Sequence, residues 1–118
     1  SGFTLLFEAL AMTLMTAMPV AAAARLMGEH DTRMWRVLHH WVEQVRERAD
    51  YSEVRRVAID ETAAKRGHDF RSLFVEIDKR SVLFATEGRG AETIAKFADD
   101  LEAHNGHASN IKQVCIAT

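Results

Sequence analysis

Two acidic residues and two basic residues follow each other closely in the stretch VAIDETAAKRGH, residues 57–68. Asp60 and Glu61 are adjacent, and Lys65 and Arg66 come shortly after them. Neighbouring carboxylates repel each other unless a positive charge or solvent lies between them. A metal ion on Asp60, an ion pair with Lys65 or Arg66, and plain hydration each satisfy that requirement, so the surrounding elements must decide among them.

The composition limits the kind of protein that these residues can serve. The chain has 118 residues, of which 47% are apolar, and its formal charge is −2. This length and apolar content suit one ordinary domain or two very small ones with a packed core. A nearly balanced charge does not by itself support nucleic-acid binding, which usually shows a basic excess or a basic face. A DNA-binding hypothesis therefore depends on local placement.

Two features could be mistaken for sites or signals. The single cysteine, Cys115, excludes an internal disulfide framework, favours a reducing compartment, and is predicted to be a small buried side chain. The scattered histidines have no zinc-ligand spacing. The uncharged segment 9–24 is shorter than the ~20 residues that a membrane span needs and contains Pro19. It predicts two packed helices and no membrane.

The composition changes near residue 50, from helix formers to runs of β-branched residues. This change predicts a helical domain at 1–50 and a second domain at 53–118. The helical domain is predicted to contain helices at about 4–16, from Pro19 to Gly28, and from Asp31 to about Arg48.

The third predicted helix is amphipathic. Its apolar residues recur at the helical period and form one stripe: Met34, Val37, Leu38, Trp41, Val42 and Val45. Its polar residues fall on the opposite face: Arg33, Arg36, His40, Glu43 and Glu47.

The spacing of Ala24, Gly28 and Met34 fits a helix-turn-helix, which needs a small residue, a turn glycine and an apolar anchor. The second helix of such a motif reads bases in the major groove with its first residues. Those residues here are Asp31, Thr32, Arg33 and Arg36. The alternative is a three-helix bundle that binds no nucleic acid, which the five basic and six acidic residues of this half favour.

The second domain predicts strands at 55–60, 72–78 and 81–87, a helix at 91–104 and a strand at 111–118. The short link between the second and third strands indicates an antiparallel hairpin. A crossover helix followed by a strand parallel to the first is how a ribonuclease H-like domain begins. The predicted fold class is therefore mixed, α+β / α/β: a three-helix helix-turn-helix followed by a truncated ribonuclease H-like core, β-β-β-α-β.

In that fold Asp60 would end the first strand, and an acid at the end of the fourth strand would face it. Two divalent cations about 4 Å apart between such carboxylates can activate a water in phosphodiester chemistry. Carboxylates and water are also the hard ligands that magnesium prefers. The strand order is what favours a metal here, because an isolated Asp-Glu pair is more often a solvated strand end.

Several motifs occur in order across nearly the whole chain. In the second half they are the strand-final IDE, KRGH before the second strand, and EIDKRSVLFATEGR across the hairpin. In the first half the segment is MPVAAAARLMGEHDTRMWRVLHHWV. Together they resemble the helix-turn-helix and catalytic core of bacterial insertion-sequence transposases of the ISL-three family.

The resemblance implies an Asp-Asp-Glu transposase that cuts and joins DNA at insertion-element ends with magnesium or manganese. Asp60 matches the first catalytic, metal-binding aspartate, and Glu61 is secondary. Lys65 and Arg66 are expected to touch the DNA backbone or to lie in a solvated loop. The helix residues expected to contact DNA are Thr32, Arg33, Arg36 and His40.

In that family a second acid closely follows the fourth strand, a glutamate comes much later, and a cysteine-rich zinc segment lies upstream. The sequence stops at Thr118, so it is expected to be an internal fragment that holds magnesium weakly or not at all and cuts no DNA alone. The alternative is a non-enzymatic DNA-binding or self-associating remnant. An open fourth-strand edge would allow a homo-oligomer, and the bacterial cytoplasm, at the nucleoid, is the expected location.

Overall fold

The computed structural model of the protein describes residues 32–65 and 69–117. Its first helix, α1, spans Thr32–Arg46. The first two predicted helices, the turn at Gly28 and the basic residue Arg66 lie outside the described residues. The helix-turn-helix therefore remains a prediction. No helix in the described ranges is long and apolar enough to cross a membrane.

Within the described residues, four strands form one sheet: β1 Arg56–Lys65, β2 Asp69–Glu76, β3 Ser81–Glu87 and β4 Gln113–Ala117. A second helix, α2, spans Ala91–Ala103 between β3 and β4. The strands lie in the order β3-β2-β1-β4, with β2 antiparallel to both neighbours and β1 parallel to β4. The predicted order of elements, the hairpin and the parallel pairing of first and last strands are confirmed.

The first strand is longer than predicted, so Asp60 lies in its middle and not at its end. The pairing of β1 with β4 stops at Asp60 and Ala117. The pairing with β2 continues from Glu61 to Lys65. Strand propensity is weak in this stretch, and cross-strand pairing with β2 extends it. Lys65 is therefore the last residue of β1 and not part of a solvated loop.

Helix α1 packs against one face of the sheet. Trp35, Leu38 and Val42 form a buried cluster with sheet residues Leu73, Val75, Val82 and Ala85. The predicted stripe is confirmed at Leu38 and Val42, but it omitted Trp35, which is 2% exposed. Positions 35, 38 and 42 follow helical spacing, so they share one side of α1. The predicted polar face is exposed, as expected: Arg33, Arg36, His40, Glu43 and Glu47.

Helix α2 packs against the opposite face. The Phe97 ring stacks on Phe74, with centroids 4.5 Å apart and planes at 13°, and Leu101 is buried beside them. The predicted apolar face of α2 is confirmed at these helix positions. The prediction that Ile94 also lies on the buried face is wrong, because Ile94 is 44% exposed. Thr93 takes the buried position instead and donates a hydrogen bond from Oγ1 to the Gly90 carbonyl, 2.8 Å.

Strand β4 lies at the edge of the sheet and pairs only with β1. Val114 and Ile116 are 54% and 58% exposed. Cys115 is also exposed, so the prediction of a buried thiol is wrong. The sequence QVCIAT is apolar, but an edge strand is covered only if another element packs on it, and no described element covers Cys115.

Candidate functional site

Asp60 lies on the sheet face against which α1 packs. Its cross-strand partners are Leu73 on β2 and Ala117 on β4. The flanking residues Val57 and Ile59 are buried on the α2 face, as strand alternation predicts. Asp60 is half-buried and has no hydrogen bond or ion pair with the residues that the structure describes. Its carboxylate is therefore not committed to holding this part of the fold together.

Glu61, the neighbouring acid, has a structural partner on the other face. Its Oε2 accepts a hydrogen bond of 2.6 Å from the backbone N–H of Gly90. Gly90 has φ 74°, a positive value that favours glycine, and precedes the first turn of α2. A carboxylate at a helix N-terminus is stabilised by the unpaired N–H groups there. Glu61 thus joins β1 to α2, and the strand pleat separates it from Asp60.

A polar cluster under α1 was not predicted from the sequence. The Arg71 guanidinium lies 4.8 Å from the centre of the Trp35 ring, and Trp35 Nε1 donates to Glu87 Oε1 at 3.0 Å. Arg71 is only 7% exposed and pairs across the strands with Thr62 and Glu87. Arg71 therefore lies on the same face of the sheet as Asp60, two residues along β2 from Leu73, the cross-strand partner of Asp60. An arginine inside the apolar run FRSLFVE was the available signal.

The helix residues predicted to contact DNA form one exposed row. Arg33, Arg36 and His40 are three and four positions apart, are exposed and share one side of α1. Thr32 is the first residue of that helix. Because α1 packs its apolar side against the sheet, this row lies on the opposite, exposed side of the described helix.

Lys65 and Asp60 share a strand but are not neighbours. They are five residues apart along the extended strand, which corresponds to about 17 Å between their Cα atoms. This backbone separation does not favour an ion pair between them, one of the alternatives for the acidic pair. Arg66, the other candidate cation, lies beyond the described part of β1.

The described residues contain no group of three or more His, Cys, Asp or Glu side chains that could hold a metal ion. Glu61 is on the far face and engaged with Gly90. Glu87 is two strands away on β3 and engaged with Trp35. Asp60 consequently has no second carboxylate beside it in the described ranges.

Two family models match the chain. Residues 1–42 match a model described as the helix-turn-helix domain of transposase family ISL3. Residues 57–117 match the DDE model of the same family, described as a transposase. No curated protein and no solved structure gives a significant match.

These two domain types imply DNA binding and, in general, dependence on a divalent metal ion. The acids of the described sheet do not by themselves form a site for such an ion, because no second carboxylate of the described residues lies beside Asp60. The DDE model alone covers more than half of the sequence, and the two matches follow each other in order. The chain therefore belongs to the ISL3 family of transposases.

Proposed function

We propose that this chain binds the DNA ends of a bacterial insertion element, at the nucleoid in the cytoplasm. In this proposal a three-helix helix-turn-helix makes the DNA contacts, and a ribonuclease H-like sheet presents Asp60 as the first catalytic acid. The observation that carries the proposal is the placement of Asp60. It pairs directly with Ala117 on the parallel strand β4, and it has no structural partner among the described residues.

The sheet topology supports the ribonuclease H-like assignment. An antiparallel β1–β2–β3 meander is followed by α2 and by β4 parallel to β1. Such a crossover places the first and fourth strands side by side, so residues at the carboxyl ends of their paired region lie close together. Asp60 pairs with Ala117 on β4 and lies on the face opposite α2.

The row on α1 supports the DNA-binding part of the proposal. In a helix-turn-helix the first residues of the second helix lie in the major groove. Thr32, Arg33 and Arg36 occupy that place on α1, and His40 continues the row by one further turn. Arginine can make paired hydrogen bonds to guanine or contact phosphates. Lys65 and Arg66 are proposed as a separate backbone contact near the end of β1.

The proposal assigns DNA binding, but not cleavage, to the polypeptide of 118 residues. Asp60 can accept a hydrogen bond or contribute one anionic ligand. Magnesium releases its water reluctantly and is usually held by more than one anionic group. With one carboxylate at this level, we expect weak or no magnesium binding and no strand cleavage.

Self-association through β4 is a further part of the proposal. The outer edge of this strand has no partner among the described strands, and it carries exposed Val114 and Ile116. Unpaired edges with apolar side chains favour pairing with another chain. Sedimentation velocity over a concentration series should show dimers that Val114→Lys with Ile116→Lys removes. A monomer at every concentration would refute this part.

The DNA-binding proposal is tested by replacing Arg33 and Arg36 together with alanine. Affinity for duplexes carrying the terminal sequences of the encoding element is measured by fluorescence anisotropy at several salt concentrations. Each lost phosphate contact should reduce the slope of log K against log salt by about 0.9. The double variant should therefore bind more weakly, and its slope of log K against log salt should be smaller in magnitude by up to about 2.

A matched control removes the same charge elsewhere. Arg48 and Lys79 are both exposed and lie outside the α1 row, so their double alanine variant should bind like the unchanged chain. Equal binding by the unchanged chain and the Arg33/Arg36 variant would refute the assignment of the α1 row. Equal losses in both double variants would indicate a general charge effect and would also refute it.

A further inference from the structure

We infer that Ala117 leaves the sheet one carboxylate short of a divalent-cation site beside Asp60. The inference deepens the proposed role of Asp60 and rests on it. Its basis is the strand register, in which Asp60 on β1 and Ala117 on β4 are direct partners.

The register fixes how close two acids at these positions would be. Adjacent strands lie about 4.8 Å apart, and paired residues place their side chains on the same face of the sheet. Carboxylates at positions 60 and 117 would therefore share one face at a separation that a single ion can bridge, since metal–oxygen distances are about 2.1 Å. No other residue of β4 lies directly beside Asp60 on the same face of the sheet.

Other residues of the described sheet do not fill this role. Glu61 and Glu87 are engaged with Gly90 and Trp35 respectively. The preceding same-face residue on β4 is Cys115, which pairs with Ala58 and lies one level away from Asp60. Thiols are also poor ligands for magnesium and manganese, which prefer hard oxygen donors.

The charged diagonal neighbour of Asp60 on β2 is a basic residue and not a second carboxylate. Arg71 is buried on the same face, diagonal to Asp60 across β1 and β2. Diagonal neighbours in a sheet are about 7–8 Å apart. The Arg71 guanidinium lies 4.8 Å from the centre of the Trp35 ring and adds no anionic ligand beside Asp60. A carboxylate at position 117 would supply the second anionic ligand that a divalent ion usually needs.

The inference is tested by adding the missing carboxylate. Manganese binding to the whole chain is measured by electron paramagnetic resonance of the free ion, for the unchanged protein and for Ala117→Asp. We expect the variant to bind one Mn²⁺ at least about tenfold more tightly than the unchanged chain, because the second carboxylate adds an anionic oxygen ligand for the ion. Combining it with Asp60→Asn should return the affinity to that of the unchanged chain.

Ser109→Asp is the matched control, because it adds the same charge at an exposed residue outside the sheet and outside the proposed self-association edge. It should bind Mn²⁺ like the unchanged chain. Ala117→Glu is measured in parallel, and thermal unfolding identifies which of the two acidic variants at this position is folded. Tight Mn²⁺ binding by the unchanged chain, or no gain in a folded acidic variant, would overturn the inference. An equal gain in Ser109→Asp would do the same.

Binding of element-end DNA by the same proteins separates this inference from the proposed function. Retained DNA binding without a manganese gain refutes only the inference about Ala117. A manganese gain in a chain that binds no element-end DNA supports the inference and refutes the proposed function.

Discussion

The two faces of β1 use adjacent acids in opposite ways. On the α2 face, Glu61 accepts a 2.6 Å hydrogen bond from the N–H of Gly90 and so contributes to the fold. On the α1 face, Asp60 has no such partner among the described residues. The pleat of one strand therefore separates a structural carboxylate from one that is available for chemistry. Residue type and position in the sequence do not distinguish them; their partners do.

The two helix-covered cores differ in the same sense. The α2 face is built around stacked aromatic rings, Phe74 and Phe97, with no charged group between them. The α1 face combines an apolar cluster with Trp35, which contacts both Arg71 and Glu87. The α2 core is therefore centred on stacked aromatic rings, whereas the α1 core includes a buried arginine.

Phe74→Ala should produce the largest effect, because this side chain is fully buried between the rings of the α2 face. Removing a buried phenylalanine ring costs about 3–5 kcal/mol of unfolding free energy. Urea denaturation at low temperature measures it. Ile94→Ala, on the exposed side of α2, should cost less than about 1 kcal/mol. Similar losses in the two variants would contradict the assignment of the aromatic core.

Trp35→Phe tests the polar cluster of the α1 face. The substitution keeps an aromatic ring near Arg71 but removes the indole N–H that donates to Glu87. The loss of one such hydrogen bond should cost about 1 kcal/mol. Glu87→Gln keeps an acceptor and should cost less. If Trp35→Phe is neutral in urea denaturation, the hydrogen bond contributes nothing and the two faces differ less than described.

Glu61→Ala and Asp60→Ala compare the adjacent acids directly. Loss of the Glu61 hydrogen bond at the start of α2 should cost about 1 kcal/mol, as for other caps of helix N-termini. Loss of Asp60 should change stability by no more than about 0.5 kcal/mol. Both are measured by urea denaturation under the same conditions. The reverse order of effects would mean that Asp60 is the structural acid.

Glu76→Gln should have the smallest effect at neutral pH and a distinctive dependence on pH. Burial raises the pKa of Glu76, and the charge of Lys79 partly opposes this shift. The folded chain therefore binds this proton more tightly than the unfolded chain, so stability gains as pH falls through the folded pKa towards the ordinary value. Thermal unfolding between neutral and mildly acidic pH should show a smaller gain on acidification in Glu76→Gln. Parallel curves for the two proteins would refute this.

The strand order could be predicted because the second half contains runs of β-branched residues and a short link between its second and third strands. The segment 81–87 was predicted with its observed bounds. The extension of β1 to Lys65 could not be predicted, because it depends on pairing with β2 and not on local propensity. Exposure at Ile94 and Cys115 likewise depends on which elements cover them.

From the sequence, the site could be predicted only as an acidic residue on the first strand. Asp60 was identified from the strand order and a resemblance, and its catalytic role remains a proposal. That Glu61 meets Gly90, that Arg71 lies under Trp35, and that Ala117 is the partner of Asp60 all require the register of the sheet. Contacts between residues far apart in sequence leave no local periodicity from which they could be read.

The most direct test of the account is one assay that reports binding and cleavage together. The chain is incubated with end-labelled duplex carrying the terminal sequence of its element, in Mg²⁺ or Mn²⁺, and examined on native and denaturing gels. The account predicts a retarded complex whose two DNA strands are intact, because Asp60 lacks a second carboxylate on β4. Metal-dependent strand cleavage that disappears in Asp60→Asn would contradict it, since Asp60 would then already belong to a complete site.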